Sequence, residues 1–146
     1  MNDSGLLTVG WREWLALPAL GVPALKAKID TGARSSALHV DDLELSDHGG
    51  ITIARFILRP GWELDPVRTE VEVVDMRPVT DSGGRTTRRA FIRTLLELGG
   101  RRWPIEMNLT NRTNMLSPML LGRTAMTGHL IVDPAQSYVL GIPEAQ

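Results

Sequence analysis

Apolar and polar residues alternate along much of this chain. Leu25, Ala27 and Ile29 interleave with Lys26, Lys28 and Asp30, and Val67, Thr69, Val71 and Val73 with Arg68, Glu70 and Glu72. Trp103, Ile105, Met107 and Leu109 alternate with Arg102, Pro104, Glu106 and Asn108. A period of two puts every second side chain on one face of a sheet, so each run predicts a strand. Residues 51–58 and 90–98 read as further strands, as do 130–133 and, beyond the turn at Pro134, 137–140. Turn signals separate the runs: His48-Gly49-Gly50, Arg59-Pro60-Gly61, Asp81-Ser82-Gly83-Gly84 and Gly99-Gly100. Asp-Ser-Gly-Gly between two strand-like runs predicts a long hairpin with its tip near 81–84. Helix is scarce, with one short candidate near 122–127, after the apolar Met119-Leu120-Leu121. About nine short strands at ~8–12-residue spacing predict an all-β domain, a compact barrel or sandwich.

Composition narrows the function classes. The 146 residues suit a single domain, 1–146, with a core over about 6–142 and frayed ends. Lys plus Arg is 16 and Asp plus Glu is 17, a net charge of −1, which argues against general adhesion to nucleic acid or membrane. Without cysteine there is no disulfide, thiolate zinc site or cysteine nucleophile. No apolar run approaches the ~20 residues of a membrane span, and the first residues lack the basic and apolar regions of a signal peptide. A cytoplasmic location is therefore expected. No Gly-rich loop ends in Lys-[Ser/Thr], so no nucleotide cofactor is expected.

The residues with the clearest chemistry are Asp30-Thr31-Gly32-Ala33, where an alternating strand turns before Arg34-Ser35-Ser36-Ala37-Leu38. Gly32 permits a tight turn beside the Asp30 carboxylate, and the Thr31 hydroxyl can hold the loop through a backbone bond. An Asp presented on such a turn is the arrangement that aspartic peptidases use. The tripeptide alone is weak: Asp-[Thr/Ser]-Gly occurs by chance in roughly one chain in fifteen of this length. A second copy, Asp81-Ser82-Gly83, lies at the polar hairpin tip and reads as turn chemistry.

Asp30-Thr31-Gly32-Ala33 and, ninety residues on (120 − 30), Leu120-Leu121-Gly122-Arg123 resemble the two signatures of the retropepsins. The likeness extends to retropepsin-like domains of bacteria and archaea, long labelled ATP-dependent zinc proteases and linked to RimK-type ligases. Val9 to Trp14, Lys26 to His39, Arg102 to Glu106, Met119 to Met126 and Val132-Asp133-Pro134 follow that group's pattern over nearly the whole chain.

The resemblance implies the closed β-barrel of the acid-protease fold, aspartic endopeptidase activity on a peptide or protein substrate, and association with an ATP-grasp ligase. An aspartic site needs two carboxylates sharing a proton, and one chain supplies one credible Asp30, so a homodimer is implied. Asp30, Thr31 and Gly32 would be catalytic, with each Thr31 hydroxyl reaching the partner's backbone. Ala33, Arg34 and Arg123, with Ser82, Gly83 and Gly84 of a flap, would contact substrate. The arginines of that hairpin, Arg77, Arg85, Arg88, Arg89 and Arg93, form a solvated face or meet an acidic substrate. One position departs from the pattern. Retropepsins place an acid where Arg34 stands, so Arg123 must find another partner, with Glu106 and Asp133 as candidates.

No metal site is expected from the residues. His39, His48 and His129 are widely spaced, and no His-Glu-x-x-His occurs. His39 reads as a structural or surface residue. Trp11, Trp14, Trp62 and Trp103 suit core or dimer packing. Two other readings stand beside the peptidase: a non-proteolytic module binding a peptide or ligase, and a metal-dependent hydrolase built on Asp30, His39 and Asp75.

Overall fold

The computed structural model describes residues 5–60, 65–111 and 117–142. Trp62 and the first and last four residues lie outside them. The described residues form eleven strands: β1 Leu7–Val9, β2 Arg12–Leu17, β3 Val22–Ile29, β4 Ser36–His48, β5 Ile51–Leu58, β6 Val67–Glu72, β7 Asp75–Thr80, β8 Thr86–Leu98, β9 Arg101–Asn111, β10 Met119–Leu121 and β11 Leu130–Val132. Between β10 and β11 stands one α-helical turn, α1, Arg123–Met126, and a 3₁₀ turn, Pro18–Leu20, joins β2 to β3. The all-β prediction and the short helix near 122–127 both hold.

The main sheet runs β10-β3-β2-β8-β9-β4-β5-β6, and β10 also pairs with β4. That second pairing returns the hydrogen bonding to its start, so six strands curl around one core. Residues on the inner faces fill it, among them Leu15, Leu17, Leu25, Leu38, Ile92, Leu96, Met107, Met119 and Leu121, each at 1% exposure or less. Burying a side chain of this kind contributes about 1.5–3 kcal/mol. β2 lacks the period of two because Glu13 to Leu17 are all buried, so both strand faces meet protein. β7 and β8 pair from Asp75↔Phe91 to Thr80↔Thr86, which makes the predicted hairpin with its tip at 81–85.

Residues 137–140, expected as a strand, form none. The reason is Glu13, which is fully buried on β2. Its carboxylate accepts the backbone N–H groups of Gly10 (2.7 Å), Val139 (2.9 Å) and Leu140 (3.2 Å). These donors satisfy a buried carboxylate instead of a sheet neighbour. Gly10 is required beneath this strap, because a Cβ there would lie 2.7 Å from the Cα of Ser137. Among the described residues, no helix is long and apolar enough to cross a membrane.

Candidate active site

The Asp30 loop is held by the strand that separates its two flanks. β10 runs parallel to β3, with Leu121 opposite Ile29, and antiparallel to β4, with Leu120 opposite Ala37. The chain leaving β3 must therefore loop over the end of β10 before it enters β4. Asp30 donates its backbone N–H to the carbonyl of Leu121 (2.9 Å), and its Oδ1 accepts the N–H of Gly32 (2.9 Å). Ala33 N–H returns to the Asp30 carbonyl (3.2 Å). This compact turn leaves Asp30 half-buried and Thr31 and Gly32 exposed.

The segment after β10 fastens the loop from the other side. Arg123 N–H meets the carbonyl of Ala33 (2.8 Å), and Thr124 N–H that of Arg34 (3.1 Å). Gly122 N–H donates to the buried Ser36 Oγ (2.9 Å). Gly122 has no room for a side chain: a Cβ would stand 2.6 Å from the Ser35 carbonyl carbon and oxygen. Trp103 Nε1 bonds the carbonyl of Ala125 (2.9 Å), which ties α1 to β9.

Beside the loop lies an open cleft of about 570 Å³, bounded by Arg34, Ser35 and Thr124 on one side and the hairpin base on the other. Arg77, Pro78, Phe91 and Arg93 line the hairpin side, and Pro104, Ile105 and Glu106 of β9 the floor. Arg77 bridges Asp75 (2.8 Å) and Glu106 (2.9 Å), with its guanidinium 4.4 Å from the Phe91 ring centre. The Arg77 hydrogen bond, aided by the Met76 N–H, holds the Asp75 carboxyl below its usual range. The same two acids raise the Arg77 guanidinium above its own. Glu106 is thereby committed, while Arg34 and Arg93 add two further positive charges to the cleft wall.

An Asp-Thr-Gly turn clamped in this way is matched by a family model over residues 8–142, that of the retropepsin-like aspartic endopeptidase RimB. The chain belongs to the RimB-like family. Its relatives include proteins named "probable alpha-L-glutamate ligase" from Shewanella pealeana and Parasynechococcus marenigrum, each 41% identical over 143 residues. The match covers 97% and 92% of this chain but 31% and 29% of theirs, so the chain spans less than a third of these relatives. A crystal structure of a Legionella pneumophila protein of unknown function is similar in fold, with a TM-score of 0.75 and 30% identity. That match covers 91% of this chain and 97% of the other.

Within this family fold the predicted site residues separate into two groups. Asp30, Thr31, Gly32, Ala33, Arg34 and Arg123 come together around the loop. Ser82, Gly83 and Gly84 stand exposed at the hairpin tip, and it is the hairpin base that lines the cleft. Asp81 serves its own turn: its Oδ1 accepts the N–H of Gly83 and of Arg85, each at 3.0 Å. Neither acid proposed for Arg123 is its partner. Glu106 binds Arg77, Asp133 binds Gln136 and the Ala135 N–H, and Arg123 donates to the Thr31 carbonyl (3.1 Å). A neutral carbonyl replaces the ion pair because the acid position holds Arg34.

The sequence reading missed Ser36 and Asn108, both buried polar residues beside the loop. For Ser36 the available signal was a polar residue in step with the apolar Leu38 and Val40, whereas Asn108 falls among the polar positions of its alternating run and gave none. Among the described residues, no three of His, Cys, Asp and Glu are grouped to hold an ion. His39 is buried on β4, His48 bonds Ser46, and His129 stacks on Trp103 at 4.2 Å. The donor set does not fit the metal that the zinc label implies. Trp14 and Trp103 are core residues, whereas Trp11 is 40% exposed, with Arg12 stacked 4.5 Å from its ring centre.

Proposed function

We propose that this domain is an aspartic endopeptidase that works as a homodimer, with Asp30 of each subunit at the two-fold axis. One observation carries the reading: the Asp30 carboxylate rides on an outward-facing turn fixed from both sides by β10 and α1, and one chain offers one such group. Two carboxylates at ~3 Å cannot both ionise, so the pair holds a single proton and titrates as a unit. The ionised member takes a proton from water while the water oxygen bonds to the scissile carbonyl carbon. The protonated member gives its proton to the carbonyl oxygen. Proton transfer to the amide nitrogen then lets the C–N bond break, giving a carboxylic acid and an amine. The β7–β8 hairpin closes over the substrate and excludes water.

The cleft chemistry supports an acidic peptide as substrate. Arg34 and Arg93 line the cleft beside the Asp30 loop and pair with no acid among the described residues, and arginine suits carboxylates through its planar pair of donors. The relatives named as ligases carry a matching region inside a longer chain, which supports an association between this domain and an ATP-grasp ligase. The same observation favours a second reading, in which the groove holds a peptide or a ligase surface without cutting it.

The two readings separate on cleavage of a short oligoglutamate peptide, measured with sedimentation and a structure of the assembly. The endopeptidase reading expects a dimer with an Asp30–Asp30 approach of about 3 Å and cleavage that Asp30→Asn removes without unfolding the protein. Peptide binding without cleavage in such a dimer supports the module. Full cleavage by Asp30→Ala refutes the aspartic mechanism.

A further inference from the structure

A polar line runs through the barrel wall between the hairpin and the Asp30 loop. Asn108 lies on β9 with 1% of its surface exposed, flanked in sequence by the buried Met107 and Leu109. Both ends of its amide are used. Nδ2 donates to the carbonyl of Ser36 on β4 (2.9 Å), and Oδ1 accepts from Nη1 of Arg89 on the hairpin arm β8 (3.1 Å). Arg89 is steadied by Thr87, whose Oγ1 accepts from its Nε (3.0 Å). At the other end, Ser36 Oγ accepts the N–H of Gly122 (2.9 Å), next to the Arg123 that grips Ala33 and Thr31.

The arrangement fits one orientation of the amide. Turned over, Asn108 would set its NH₂ against the Arg89 guanidinium and its oxygen against the Ser36 carbonyl. A buried amide is costly to desolvate, and an apolar residue would occupy this buried position of β9 without that cost. Its polar ends meet the flap arm on one side and the support of the catalytic turn on the other.

We propose that Asn108 and Ser36 are positioning residues that couple the β8 arm of the hairpin to the Asp30 loop, so that the placement of Arg89 sets how tightly Gly122 and Arg123 hold the loop. The role assigned to the loop rests on the endopeptidase reading, but the coupling is measured without catalysis. The experiment is amide hydrogen exchange by NMR on the full chain, comparing wild type with Arg89→Met. Arg89 lies at the edge of the core, so the substitution leaves the packed interior in place. The expected result is roughly five- to tenfold faster exchange at Gly122 and Arg123, with β5 and β6 unchanged. Arg89→Lys, which keeps a cationic donor, restores most of the protection. In a Ser36→Ala background, where the line is already cut, Arg89→Met adds nothing further.

Unchanged exchange at Gly122 and Arg123 in Arg89→Met overturns the coupling. So does a uniform rise across all strands, which marks lost global stability, and so does full additivity with Ser36→Ala. Failure of the endopeptidase reading shows instead in the cleavage assay, with the exchange pattern intact.

Discussion

The chain contains the same local turn twice, and the two copies have different fates. Asp30-Thr31-Gly32 and Asp81-Ser82-Gly83 each fold so that the Asp Oδ1 accepts the N–H of the glycine two residues on, at 2.9 and 3.0 Å. Around Asp81 the remaining bonds are local. Asp81 and Arg85 join backbone to backbone, and Arg85 N–H takes the same carboxylate oxygen, so the acid is spent on closing a hairpin. Around Asp30, besides the local bond from Ala33 N–H, the holding bonds come from some ninety residues away, through Leu121, Gly122 and Arg123. The difference teaches that the tripeptide encodes a turn, and that long-range strand pairing makes one copy a candidate site.

The largest contrast expected is in cleavage. Asp30→Ala should lower peptide cleavage on the order of 10³-fold or more, whereas Asp81→Ala should leave it within about threefold. Equal losses, read from initial rates, would erase the distinction. The two turns also differ in what an added methyl group meets. Gly122→Ala forces a Cβ into the Ser35 backbone and should cost about 2–3 kcal/mol in chemical denaturation. Gly84→Ala, at φ +86° with open space around it, should cost about 1 kcal/mol from backbone strain alone.

Asp81→Ala should be milder still, about 0.5–1 kcal/mol, since it removes side-chain acceptor bonds at an exposed tip. The smallest effect concerns the base of the same hairpin. The Asp75 carboxyl titrates below its ordinary 3.8 because Arg77 favours the charged form. Folded Asp75 therefore binds fewer protons than unfolded Asp75 across that interval. Its contribution is present above about pH 4 and is lost as pH falls through the folded value. Thermal midpoints of Asp75→Asn should accordingly decline less steeply below about pH 4 than those of wild type, by a small margin for so exposed a pair.

Much of the fold was legible because a half-buried strand writes its two faces into alternate residues. The runs beginning at Leu25, Ile51, Val67, Ala90 and Trp103 all became strands, at 22–29, 51–58, 67–72, 86–98 and 101–111. Where both faces are covered the signal vanishes, and β2 went unnoticed for that reason. Residues 137–140 carried a strand-like composition, but their N–H groups were claimed by Glu13, a competitor 126 positions away from Val139. At the site, the candidate loop was legible from two short motifs. The partner of Arg123 was not, since a backbone carbonyl leaves no trace in side-chain identity.

By itself the sequence determined the all-β class, the hairpin tip at Asp81 and the turn at Asp30, all of which follow from periodicity and from glycine next to a short polar side chain. Only the tertiary structure decided which Asp-x-Gly became the candidate site. That required β10 to insert between β3 and β4 and bring Gly122 against Ser35, a contact set by packing between segments far apart in the chain. It likewise decided that Arg77 would bind Glu106 while Arg34 and Arg93 face the cleft, because charge pairing depends on distances that strand register fixes and spacing along the chain does not.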